Sequence, residues 1–272
     1  MAWAVDVITA ANTAAITALA DHLMADDDSG TLRDFRLLAD RAAASTNVDA
    51  EKIRCFDESD AILDVRGFCT WQMDGDRAAG LRVFGERQGD WLPRRQAFEE
   101  LWLDGESFRY FAVNAGGLGT QGAYGKFCLL LTEVTERGRV AAIFPGDSLQ
   151  RYTTATAVDS ARIMREAAAW TIRGSVTVVE RGPEALTIHE AGWLEVICRP
   201  GQYLEAVVGP PLPLADIAEV RLPASYLTQL DDYDQRELAG EALQEDQANE
   251  LRAFRSLQRW RRTLGLLITP LP

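Results

Sequence analysis

The stretch "NAGGLGTQGAYGKF", residues 114–127, constrains this chain more than any other. Gly117, Gly119 and Gly122 stand in the spacing G-x-G-x-x-G, which in some folds marks a turn cradling a dinucleotide pyrophosphate. Such a turn needs a strand before the glycines and a helix directly after them, so that the phosphate meets a helix N-terminus. "FRYFAVN" ahead of the glycines reads as a strand, but "FCLLL" behind them is an apolar run with no helical period. The pattern therefore predicts strand–loop–strand, with glycine permitting positive φ in the connection. It argues against a doubly wound nucleotide fold at this place.

At 272 residues and 47% hydrophobic content, the chain can bury a large core without disulfides or metals. Its formal charge of −13 repels nucleic-acid backbones and anionic membrane surfaces. Cys55, Cys69, Cys128 and Cys198 show no C-x-x-C spacing and read as buried residues in a reducing compartment. The first residues, "MAWAVDVITAANTAAITALADHLMADDD", lack a positive leading segment and are interrupted by Asp6, Asp21 and His22. They predict an ordinary helix, neither a signal peptide nor a membrane span. The expected location is the cytoplasm, or outside it by export without a cleavable signal. His22 and His189 are the only histidines, so a zinc site or a Ser-His-Asp triad is disfavoured, and no G-K-[ST] phosphate loop occurs. An enzyme of this composition would work with carboxylates, Arg, Ser, Tyr and an organic cofactor, without metal.

Helical spacing covers residues 4–24 and 31–44, separated by Asp26-Asp27-Asp28-Ser29-Gly30. A strand is expected near "AILDVRGFCTW", and a short helix near 94–103 after Trp91-Leu92-Pro93. From residue 107 the character turns to β, with "SFRYFAVN", "YGKFCLLLTEV" and "RVAAIF". Thr156 with Asp159 fits a capping box opening a helix through about Ile172. "SVTVVE", "ALTIHE", "GWLEVICR", "QYLEAVVG" and "AEVRLP" read as strands, with hairpin turns at Ala191-Gly192 and Pro200-Gly201. A long helix is expected from Gln235 to Leu264, packing Leu243, Leu251, Phe254, Leu257 and Trp260 inward. Residues 231–250 hold eight acidic side chains against one Arg, and residues 252–262 hold five Arg. The expected class is α+β: a mixed helical region 1–92, a β-rich core 93–230 and a C-terminal helix 231–272.

Four short motifs occur in order: "RYFAVN" (109–114), "YGKFCLLL" (124–131), "FPGDSL" (144–149) and "YLEAVVGPPLPLADIAEV" (203–220). Together they resemble an uncharacterised bacterial family, and the last resembles the closing segment of ADP-ribosyltransferase toxins. The resemblance spans about residues 95–225 and implies a mostly antiparallel, split β-sheet core of ADP-ribosyltransferase type. The activity it implies is NAD-dependent transfer of ADP-ribose by a toxin or defence effector. It places Glu205 at the catalytic glutamate. Arg109 or Tyr110 would contact the NAD phosphate or stack on nicotinamide, and Asp147 and Ser148 would orient the ribose. Asn114 and Tyr124, which flank the glycine loop at the cleft, would bind the cofactor with them. Alternation along a strand puts Tyr203, Glu205 and Val207 on one face. The chain departs from the family where Val207 replaces a Gln and Cys128 a His, and Thr153-Thr154 poorly substitutes for an S-T-S element. The implied partner is a macromolecular acceptor, protein rather than DNA, with no membrane. The competing class is a non-enzymatic binding or immunity-type protein whose acidic helix holds a basic partner.

Overall fold

The computed structural model describes residues 5–120, 124–154 and 156–272; Gly122, the third glycine of the pattern, and residue 4, expected to open the first helix, lie outside the described residues. The chain begins α1 (Val5–Ala25), α2 (Thr31–Asp40), β1 (Ala43–Val48), α3 (Ala50–Ser59), α4 (Val65–Gln72), α5 (Arg77–Gln88) and α6 (Leu92–Glu99). It continues β2 (Arg109–Asn114), β3 (Phe127–Leu131), α7 (Glu133–Arg139), β4 (Val140–Phe144), α8 (Ser148–Tyr152) and α9 (Ser160–Glu166). It ends α10 (Arg173–Ala185), α11 (Trp193–Ile197), β5 (Glu205–Val208), β6 (Ile217–Pro223), α12 (Ala224–Leu238), α13 (Glu245–Leu264) and β7 (Leu267–Leu271). The molecule is mixed α and β around one seven-stranded sheet of order β4-β5-β2-β1-β3-β6-β7. Every pairing is antiparallel except β6 with β7.

Side-chain alternation divides the sheet into two faces, each packed by its own apolar cluster. Phe111, Val113, Leu129, Leu204, Ala206 and Val220 enter the main core with Phe35, Ile53, Leu257 and Trp260 from the helices. On the opposite face, Ala142, Phe144 and Val207 pack with Phe98, Trp102, Tyr152 and Ile163. Each Val, Leu, Ile or Phe among them, fully buried, contributes roughly 1.5–3 kcal/mol.

The sheet is continuous at one end and parted at the other. β1 and β2 pair only from Ala43↔Asn114 to Ser45↔Ala112. Beyond that point β1 stays with β3 as far as Val48↔Phe127, while β2 stays with β5 as far as Arg109↔Val208. A wedge opens between Thr46–Val48 and Arg109–Phe111.

The glycine stretch joins β2 to β3, as expected, but it is not a hairpin. β2 and β3 lie on either side of β1 and run parallel, and the described residues of the connection lie against Asn47 of β1. Asn47 fastens it there: Nδ2 donates to Leu118 O (3.0 Å) and Gly125 O (3.2 Å), and Oδ1 accepts from Thr120 N–H at 2.8 Å. Asn114 holds the other end, its Oδ1 accepting from Gly116 and Gly117 N–H at 3.1 and 2.9 Å. Asn47→Ala strands these loop groups in a buried place, at about 1–3 kcal/mol. The expected result is a melting temperature lower by several degrees and faster amide exchange at Thr120; an unchanged melt with unchanged exchange would remove Asn47 from this role.

Several expected elements are corrected. The helix expected over residues 31–44 ends at Asp40, and "AASTNV" forms the central strand β1. "AILDVRGFCTW" is not a strand: Asp64 accepts from Gly67 N–H at 2.7 Å and opens α4. "SVTVVE" lies within α10, where Gly174 and Gly182 let the helix approach α2 closely. Tertiary burial of Ser175, Val178 and Ala185 on one side overrides the β preference of the valines. "GWLEVICR" holds α11, burying Trp193, Val196 and Ile197 at helical spacing, and neither expected hairpin forms there. Asp159, not Thr156, caps α9, which stops at Glu166. The expected single C-terminal helix is two, broken at Gly240 (φ 83°), and followed by β7.

Candidate functional site

The wedge between β1 and β2 opens into a cavity of about 460 Å³, a size suited to a small ligand. Its walls come from the diverging strands, the turn before α6, the start of α8, the glycine loop and the approach to β5. Glu205 stands at its floor. It opens β5 between Ala112 of β2 and Phe144 of β4, and is only 3% exposed. Ser148 N–H donates to Glu205 Oε1 at 3.2 Å. That amide is placed by Asp147, which caps α8 by accepting from Gln150 N–H at 3.0 Å. Burial, and then the charge of Asp147, push the Glu205 carboxyl up to about 8, against the opposing pull of Ser148 and Arg95. The floor of the cavity therefore carries an acid that titrates near neutrality.

Tyr110 shares the face of Glu205, since it pairs with Val207 two residues further along β5. The Arg95 guanidinium lies 4.8 Å from its ring centre, and its hydroxyl donates to Glu99 Oε1 at 3.2 Å. Glu99 is buried and also receives Arg66 and Arg95, so Tyr110 and Arg95 are fixed in the wall together. Burial and the Glu99 charge raise the Tyr110 phenol well above its ordinary value. Arg109 projects to the other side of β2 and meets the cavity at the parted edge. Its Nε donates to Ile62 O at 2.6 Å and its Nη1 to Ser107 O at 3.0 Å, so backbone carbonyls hold the guanidinium. Tyr124 stands half-exposed at the rim, and Tyr203 is buried beside the floor.

The fold thus gathers Glu205, Arg109, Tyr110, Tyr124 and Asp147 around one cavity, with Ser148 directly behind Glu205. Asn114 is placed elsewhere: it is buried under the glycine loop and shapes that loop. Sequence reading missed Arg95, Trp91 and the β1 residues of the wall. The one local signal for Arg95 was Glu99 four residues later on a helix, a common surface pattern. Of the two family departures, Cys128 is buried beneath the loop with its thiol pushed up to about 11 by burial. Val207 sits in the apolar cluster with Phe98 and Phe144.

Among the described residues, no group of three or more His, Cys, Asp or Glu is arranged to hold a metal ion. No helix of the described residues is long and apolar enough to cross a membrane. Between the segregated charges of the C-terminal helices, Arg255 of α13 reaches Asp234 and Glu237 of α12, both at 2.6 Å; within the acidic stretch Arg236 reaches Glu241 at 3.0 Å. Compared with known protein families and with curated proteins, the chain matches no family model and no relative.

Proposed function

We propose that this chain is an ADP-ribosyltransferase-like enzyme, which takes NAD as substrate in the cavity and transfers ADP-ribose to a macromolecule, protein rather than DNA. The observation that carries the reading is Glu205, buried at the floor of a ligand-sized cavity where the central sheet parts. The cavity size and a wall of carboxyl, phenol and guanidinium groups fit a ribose and its attached ring. In this reaction the bond between ribose C1′ and the nicotinamide nitrogen breaks, its electron pair leaves with nicotinamide, and an acceptor nucleophile bonds to C1′. Glu205 would hydrogen-bond the ribose 2′-hydroxyl and stabilise the positive charge developing on the ring, in surroundings where water does not screen it. Ser148 holds that carboxyl in place through its N–H. Tyr110 and Tyr124 supply flat surface beside it, and Lys52, Arg95 and Arg109 are the cations that line the cavity.

The test incubates the protein with radiolabelled NAD and bacterial lysate, beside Glu205→Ala, and follows labelled protein and released nicotinamide. Labelling and nicotinamide release by the wild type, both lost in Glu205→Ala, are expected. Equal signals from the two proteins, or none from either, would overturn the proposal.

A further inference from the structure

We propose that the floor of the cavity is a proton-coupled site for a planar organic cation such as a pyridinium ring, which enters as Glu205 gives up its proton. The inference rests on the preceding reading only in that the nicotinamide ring of NAD is such a cation.

Two carboxyls, Glu205 and Asp147, line the cavity, Asp147 directly preceding the Ser148 whose N–H reaches Glu205, and three phenols, Tyr110, Tyr124 and Tyr203, line it with them. The cations around them are committed. Arg95 gives Nη1 to Glu99 (3.3 Å) and Nε to Gln88 (3.1 Å), and covers the Tyr110 ring. Lys52 lies 3.5 Å from Asp49, and Arg109 is tied to backbone carbonyls. Asp64, the remaining acid of the wall, caps α4. Ser148 N–H helps the ionised form of Glu205 but does not cancel its burial. Glu205 consequently rests protonated near neutral pH.

A monocation arriving at this floor changes the balance. It adds counter-charge beyond the partial pull of Arg95, so the carboxyl ionises and one proton leaves to solvent. Tyr124 and Tyr203, which line the cavity beside Glu205, add aromatic surface that attracts the same cation. A neutral ring of the same shape gains neither. Affinity for the cation should therefore rise about tenfold per pH unit below pH 8 and level off above it, while affinity for the neutral ring stays flat.

The experiment measures binding of 1-methylnicotinamide, neutral nicotinamide, NAD and NADH from pH 6 to 9, by calorimetry in two buffers of different ionisation enthalpy. NADH keeps the scaffold of NAD but has an uncharged ring. Expected are at least about tenfold tighter binding of each charged member at pH 8, close to one proton released at pH 7, and loss of the pH slope in Glu205→Gln. Equal binding of charged and neutral members, or no proton release, would overturn the proposal. These wild-type comparisons stand even if the variant does not fold. Cation-selective binding without NAD consumption would keep this site and reject the transferase reading. NAD consumption without charge selection would do the reverse, and absence of binding and turnover would reject both.

Discussion

Glu205→Gln is expected to make the protein more stable above pH 8 while removing the proposed transferase activity. The sign follows from proton affinity: the folded carboxyl holds its proton up to about 8, whereas an ordinary Glu in the unfolded chain loses it near 4.5. Its stabilising contribution is fully present below 4.5 and is lost as pH rises through about 8. Glutamine keeps the shape and hydrogen-bonding capacity without ever acquiring the buried charge. At about 1.4 kcal/mol per pKa unit the ceiling is near 5 kcal/mol, and relaxation around the charge reduces it to about 3. That corresponds to a melting temperature at pH 9 roughly 6–12 °C above the wild type, with near-identity at pH 4. Glu136, whose buried carboxyl is pushed up to about 7, adds a slope of the same sign that the single variant retains. Removing the charge that meets the developing cation should cost about 10²-fold or more in nicotinamide release. A variant less stable than the wild type at pH 9, or equally active, would contradict this account.

Gly125→Ala is expected to be among the most damaging single-methyl changes in the chain. Gly125 has φ +133°, and a Cβ there would stand 2.2 Å from the carbonyl carbon and oxygen of Val48. The loop must lift from the end of β1, breaking the Asn47 bond to Gly125 and displacing Tyr124 at the cavity rim. Strain and overlap together cost about 3 kcal/mol or more. The melting temperature should fall by roughly 6–12 °C, and KM for NAD should rise more than kcat falls. Gly138→Ala is the matched control: it lies in α7, where an added Cβ meets nothing within 4 Å. It should be neutral or stabilise by up to about 1 kcal/mol. A Gly125→Ala protein as stable as this control would show that the loop does not depend on close approach to β1.

Strands β2, β4, β5 and β6 were legible because aromatic and β-branched residues concentrate in them, and β3 as a short continuous apolar run. β1 was not, since "AASTNV" offers no alternation of apolar and polar residues. Its Asn47 is buried where the loop bonds to it, a condition set by a segment some 70 residues away. α10 and α11 were misread because close helix packing, invisible in a local window, outweighs the preference of Val176 to Val179. At the cavity, Glu205, Tyr110 and Asp147 were found through short motifs on strand ends and turns. Arg95 was hidden because only the packing of α6 over β2 turns a surface-like arginine into a wall residue.

The parted sheet also dictates how the chain must assemble. On one side of the seam lie β4, β5 and β2, and on the other β1, β3, β6 and β7. The backbone passes from one side to the other between β1 and β2, β2 and β3, β3 and β4, and β5 and β6. Neither side is a contiguous piece of sequence, so neither can be excised or finish folding alone. Contacts so distant along the chain make for slow, all-or-none folding, and the cavity comes into being only when the last segments have arrived.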